Sequence, residues 1–119
     1  MTQSLDYEKF EQTVSNLQSL NKAVNENGST AMIVDSFRRC AEEFQGMAIQ
    51  FLGYRPPKIS LDDTVSRKSG FAIAIGALGA LLQESKDEVA RRENNALIRA
   101  NVEAIYHFFD SMGTKPACT

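Results

Sequence analysis

The chain has 119 residues, 43% hydrophobic and 24% charged, with a net charge of −2 at pH 7. That length makes one domain with a substantial core, and the slight acidity argues against coating nucleic acid by bulk electrostatics, a local basic patch apart. The longest nearly apolar run, 71–82, is too short to span a bilayer; no leader pattern opens the chain; and Cys40 and Cys118 suggest neither a disulfide framework nor a zinc site. A cytoplasmic protein without membrane, metal or cofactor is expected.

In chain order, a first helix is expected from about Leu5 to Asn25, capped by Ser4, with Asp6 and Glu8 in its favourable first turn. Its apolar stripe is Tyr7, Phe10, Val14, Leu17 and Val24, widened by Leu20, with Asn21 at the edge of the same face. Residues 25–29 read as a turn. Ser29 or Thr30 then caps a second helix ending near Leu52, with Gly53 as its stop. This helix carries the cleanest stripe, Ile33, Phe37, Cys40, Phe44, Met47 and Phe51, whose alternating steps of four and three hold one narrow face. Pro56 and Pro57 forbid helix in the connection that follows, which is expected to be an exposed loop.

Ser60 to Asp63 resembles a capping box, and Ser69 offers another start for a third helix. Over 71–82 the alternation of Phe71, Ile73 and Ile75 with alanines is a strand pattern, yet Phe71, Ile75, Leu78 and Leu82 also fit one helical face. Alanine content and the lack of a partner strand favour helix. Ala72, Gly76, Gly79 and Ala80 then form a small face on which a neighbouring backbone could pack closely. Ser85 to Glu88 is a full capping box, opening a fourth helix that runs to about Met112, with Gly113 as stop. Its main stripe is Ile98, Val102, Ile105, Phe109 and Met112. Ala96, Ala100 and Ala104 form a second stripe, which places the helix centrally or against another subunit. Residues 1–113 therefore make a single all-α domain, an antiparallel up-and-down four-helix bundle, and 114–119 a disordered tail.

Chemistry-bearing residues are few. The main stripe of the fourth helix turns polar toward its start, where Arg91, Arg92, Asn94 and Asn95, with Arg99 beyond, could hold an anion or a partner's backbone. The bland alternative is a helix projecting past the core, with Glu88 and Arg92 as a surface pair. His107, the only histidine, falls on the side opposite the main stripe, with no carboxylate placed to orient it. No Glu-x-x-His pair exists for a di-metal bundle. Arg38-Arg39 and Arg67-Lys68 read as solvated pairs, and no helix–turn–helix signature is present. No residue is assigned as catalytic.

Phe10 to Leu20 (FEQTVSNLQSL) and Ile33 to Phe44 (IVDSFRRCAEEF) resemble the first two helices of the bundle proteins that accompany minimal nucleotidyltransferases, within the HEPN group. The two segments hold 23 of the 119 residues. It implies a dimeric four-helix bundle acting as a substrate-binding partner of a nucleotidyltransferase, or an RNase toxin. The RNase members place a His a few residues after an Arg; here Arg99 and His107 are separated by seven residues, or about 12 Å of helix rise between them. The leading expectation is thus a non-catalytic interaction or substrate-presenting module, homodimeric, with a protein partner. The alternatives are a divergent ribonuclease using Arg92, Asn94, Arg99 and His107, and a mobile-element regulator with a macromolecular target.

Overall fold

The computed structural model describes residues 6–28, 30–58 and 64–117. They form α1 Tyr7–Asn27, α2 Ala31–Leu52, α3 Thr64–Glu84, α4 Glu88–Glu93 and α5 Asn95–Ser111, with no strand among the described residues. The alternation at the start of 71–82 is therefore helical: Phe71, Ala74, Ile75, Leu78 and Leu82 are buried, while Ile73 is 73% exposed.

Capping chemistry sets most boundaries. Asp6 rather than Ser4, which lies outside the described residues, begins α1; its carboxylate accepts from the Lys9 backbone N–H at 3.1 Å. Thr30 caps α2 through a bond from Ile33 N at 3.3 Å. Gly53, at φ 84°, ends α2 in the left-handed region that glycine enters without steric cost. Gly113 terminates α5 in a Schellman arrangement, Gly113 N donating to Asp110 O and Thr114 N to Phe109 O. The suggested box at 60–63 lies outside the described residues, and Ser69 falls inside α3 rather than at its start.

The expected fourth helix is broken. Ser85 is not its cap: Asp87 accepts from Ala90 N at 2.8 Å and opens the six-residue α4. At Asn94 the backbone departs from helix, at φ −94° and ψ 1°, before α5 resumes. The reason is a polar demand in the interior. Ser85 is almost fully buried, and the Asn94 amide donates to its hydroxyl at 2.9 Å, so the chain bends to satisfy a group that would be costly to strand.

Contacts fix the arrangement. Phe10 of α1 stacks on Phe44 and Phe51 of α2. Gln18 and Glu11 of α1 bond to Ile75 O of α3 and to Lys86 just beyond α3's end. Phe71 of α3 stacks on Phe108 of α5, while Ser85 meets Asn94 at the other end. Phe37 and Leu52 of α2 meet Phe109 and Arg99 of α5. Each of these pairs is antiparallel, and the four long helices close in the order α1, α2, α5, α3. It follows that α2 and α3 run in the same direction, so the chain does not follow the expected up-and-down order. The connection after Gly53 turns back along α5: Tyr54 donates to Glu103, and Arg55 lies near enough to oppose the rise in the Tyr106 pKa. Pro56 is buried, so this segment is not a wholly exposed loop.

The core combines Phe10, Val14 and Leu17 with Ala41, Phe44, Ala48, Leu78, Ile98, Val102, Ile105 and Phe109. In α2 the deepest line is Ala41, Phe44, Gln45 and Ala48, while Ile33, Phe37, Met47 and Phe51 of the expected stripe are half-buried. The alanines let neighbouring helices approach, and the larger side chains wedge in beside them. Met112 falls beyond α5 and is 54% exposed. The segment after Gly113 is docked rather than loose. Thr114 donates to the buried Gln45 at 2.7 Å and Ala117 N to Glu42 O at 3.0 Å; residues 118–119 lie outside the described residues.

The small face of α3 does not receive a backbone. Ala72, Gly76 and Ala80 are exposed; a Cβ on Gly76 would meet nothing within 4 Å, whereas one on Gly79 would come 2.5 Å from Gln18 Nε2. Gly76→Ala should therefore raise stability by about 0.5–1 kcal/mol through helix propensity alone. Gly79→Ala should gain less or lose, because Gln18 must leave its bond to Ile75 O. Urea unfolding of the two variants checks the difference; equal gains would mean that Gln18 does not pack on α3.

Candidate binding pocket

At the end carrying the α1–α2 turn, α3 begins about 10 Å of helix before Phe71, while α5 stops at Ser111. The unequal lengths leave an open cavity of about 590 Å³ between α1, α2, α3 and α5. Its inner wall is aromatic: Phe71 is buried and stacks on Phe108 at 4.5 Å, and Phe37 meets Phe71 edge-on at 5.9 Å. Val24 and Val34 extend this wall, and Met112 stands at the mouth. Polar residues also line it, with the exposed Asn25, Arg38, Lys68 and Ser69 facing solvent at the mouth and Asn21 and Thr114 half-buried. Asp35 accepts from both Arg38 at 2.8 Å and Arg39 at 2.9 Å. Lys68 has no ion-pair partner among the described residues. A second, smaller cavity of about 220 Å³ lies beside Gln18 and Gly79, with Glu11 on its wall already bonded to Lys86.

The residues expected to form a site at the start of the fourth helix lie at the opposite end, and most have structural partners. The Arg91 guanidinium covers the Tyr7 ring at 3.9 Å and donates through Nε to Ser85 O. Arg92 pairs on the surface with Glu88 at 2.8 Å, as the bland alternative had it. Asn94 serves Ser85, and Asn95, the first residue of α5, is exposed. Arg99 donates to Leu52 O at 3.0 Å, satisfying a carbonyl at the end of α2, and faces the Phe51 and Tyr54 rings. The structure thus brings Arg91 and Asn94 together on Ser85 and holds Arg99 on α2.

Other reactive side chains are enclosed rather than poised. Cys40 is buried, its Sγ donates to Thr13 O, and burial, with a smaller contribution from Glu43, pushes its pKa up to about 11. At neutral pH it is a thiol and a poor nucleophile. His107 is half-buried, and its Nδ1 is enclosed without a hydrogen-bond partner among the described residues. Among the described residues no group of three or more His, Cys, Asp or Glu side chains could hold a metal ion, and no helix is long and apolar enough to cross a membrane.

Sequence reasoning missed the pocket, because its walls come from four separate helix ends. The only signal was the surplus of aromatics in two of them, Phe37 in α2 and Phe108 beside Phe109 in α5. No protein-family model matches the chain, and neither a curated protein nor a solved structure is significantly similar to it.

The partners found for the two arginines separate their effects. Arg99→Gln should destabilise the protein by about 1–2 kcal/mol, since it uncaps α2 and removes ring contacts. Arg92→Gln should cost no more than about 0.5 kcal/mol, as an exposed i,i+4 pair does. Chemical denaturation of both checks this, and an indifferent Arg99→Gln would show that Leu52 O is satisfied without it.

Proposed function

We propose that the protein is a non-catalytic binding module, a four-helix bundle of antiparallel neighbours that holds an apolar body in the pocket at its α1–α2 turn end. One observation carries this reading: an open cavity of about 590 Å³ walled by Phe37, Phe71 and Phe108, with polar groups at its mouth. Volume and lining both match the pattern of small-molecule sites, an apolar wall with a few orienting polar groups. A role as the substrate-presenting partner of a nucleotidyltransferase, which the resemblance implies, would use such a pocket. The ribonuclease reading draws less support, because Arg99 and Arg92 are both engaged, with Leu52 O and Glu88.

The test is binding of the neutral dye N-phenyl-1-naphthylamine, whose emission rises in apolar surroundings. The wild type should bind it, and Ala72→Trp, which places bulk on the pocket wall, should weaken binding at least about tenfold while keeping its helical circular dichroism. A wild type that leaves the dye in water would sink the reading.

The homodimer remains our proposal as well, formed through the outward faces of α3 and α5. Ile73 and Leu97 stand 73% and 58% exposed there, on helices whose Gly76, Ala80, Ala100 and Ala104 are also exposed. Light scattering should give twice the chain mass of 13.2 kDa, falling to the monomer value in Ile73→Lys/Leu97→Lys. A wild type that is monomeric at high micromolar concentration would exclude it.

A further inference from the structure

We infer that the occupant of the pocket is a free amphipathic anion, with one apolar tail against the phenylalanine wall and one carboxylate-type head at the mouth. This rests on the reading of the cavity as a binding site and adds the charge of what it binds.

Charge distinguishes this pocket from the rest of the surface. The chain holds 15 acidic residues against 13 basic ones, so an average stretch of its surface is slightly negative. Among the described residues the pocket lining reverses that balance: it includes Arg38 and Lys68 and no Asp or Glu. Arg38 is paired with Asp35, but that one carboxylate is shared with Arg39, so it neutralises Arg38 only in part. Lys68 adds a full charge with no ion-pair partner among the described residues. Cations at the mouth of a low-dielectric cavity attract an anion more strongly than the same cations on an open surface. Asn25 and Ser69 stand at the same mouth with further hydrogen-bond donors for a head group. The wall behind offers such a head nothing, because it is aromatic and aliphatic. An ion would have to shed its water to enter there, so the head stays outside and only the tail goes in.

A single-tailed small molecule fits better than a bilayer or a whole helix. The apolar groups line a concavity of drug-ligand size, whereas an α-helix with its side chains is about 10–12 Å across and would seat only a few side chains in it.

The experiment is dye displacement and calorimetry with decanoate, decanol and decyltrimethylammonium, which share a tail and differ in head charge. Vesicles of phosphatidylglycerol form a separate arm. The expected result is decanoate binding at least about five-fold tighter than decanol, with decyltrimethylammonium weakest and the advantage shrinking as salt rises from 0.05 to 0.5 M. Arg38→Gln/Lys68→Gln should bring the decanoate-to-decanol ratio toward one, and Lys9→Gln, exposed near the opposite end of α1, should keep it. Melting curves confirm that each variant is folded. Equal affinity for decanoate and decanol, or a preference for the cation, would overturn the inference and leave the pocket reading standing. Vesicle binding without decanoate binding would overturn it in favour of a membrane surface. If the neutral dye stays in water, the pocket reading itself falls and the inference with it.

Discussion

Phe109 is the residue on which the arrangement turns. Its ring meets Phe37 and Phe44 of α2 at 5.9 Å and Phe71 of α3 at 5.3 Å, and Phe44 passes the contact on to Phe10 of α1 at 5.6 Å. One aromatic cluster therefore ties together all four long helices. Aromatic pairs of this kind contribute about 0.5–1.5 kcal/mol beyond their burial, and truncating a buried phenylalanine costs about 3–5 kcal/mol. Because Phe109 lies so near the end of α5, the cluster also marks the level at which close packing stops. The pocket opens just beyond it, and Phe37, Phe71 and Phe108 belong to both.

The two ends of the molecule are finished by different chemistry. At the far end polar groups close the structure: Asn94 and Arg91 converge on Ser85, Arg99 holds Leu52 O, and Lys86 reaches Glu11. The first three of these bonds satisfy a helix-end carbonyl or a buried hydroxyl and the last is a surface ion pair, so this end is spent on stability, and Arg91 and Arg99 cannot turn to a ligand without leaving a partner behind. At the α1–α2 turn end the helices stop at different heights and the side chains facing inward are rings. Apolar surface left open in this way is costly to a protein that gains nothing from it, which is why function is placed at this end.

Much of the local structure was legible. The 3.6-residue periodicity located the four long helical segments, and Thr30, Gly53 and Gly113 marked boundaries through capping and positive φ. These are short-range effects, decided within a few residues. The misses share one cause. Ser85 looked like a cap, but it is buried and takes an amide from Asn94, nine residues away. Gly76 and Gly79 looked equivalent, yet only Gly79 lies against Gln18 of another helix. Gln45 drew no notice until Thr114 paired with it.

What the chain determined by itself is that it is helical, where its long helices lie and which residue types face inward, because propensity, capping and amphipathic pattern act locally. Which helices are neighbours was a tertiary decision. An apolar stripe states that it must be covered and not by what, so the crossing from α2 to α3 and the ring of α1, α2, α5 and α3 follow from how the phenylalanines pack. The pocket is one step further removed. It depends on where four helices end relative to one another, a difference of a few ångströms in height that no single segment encodes.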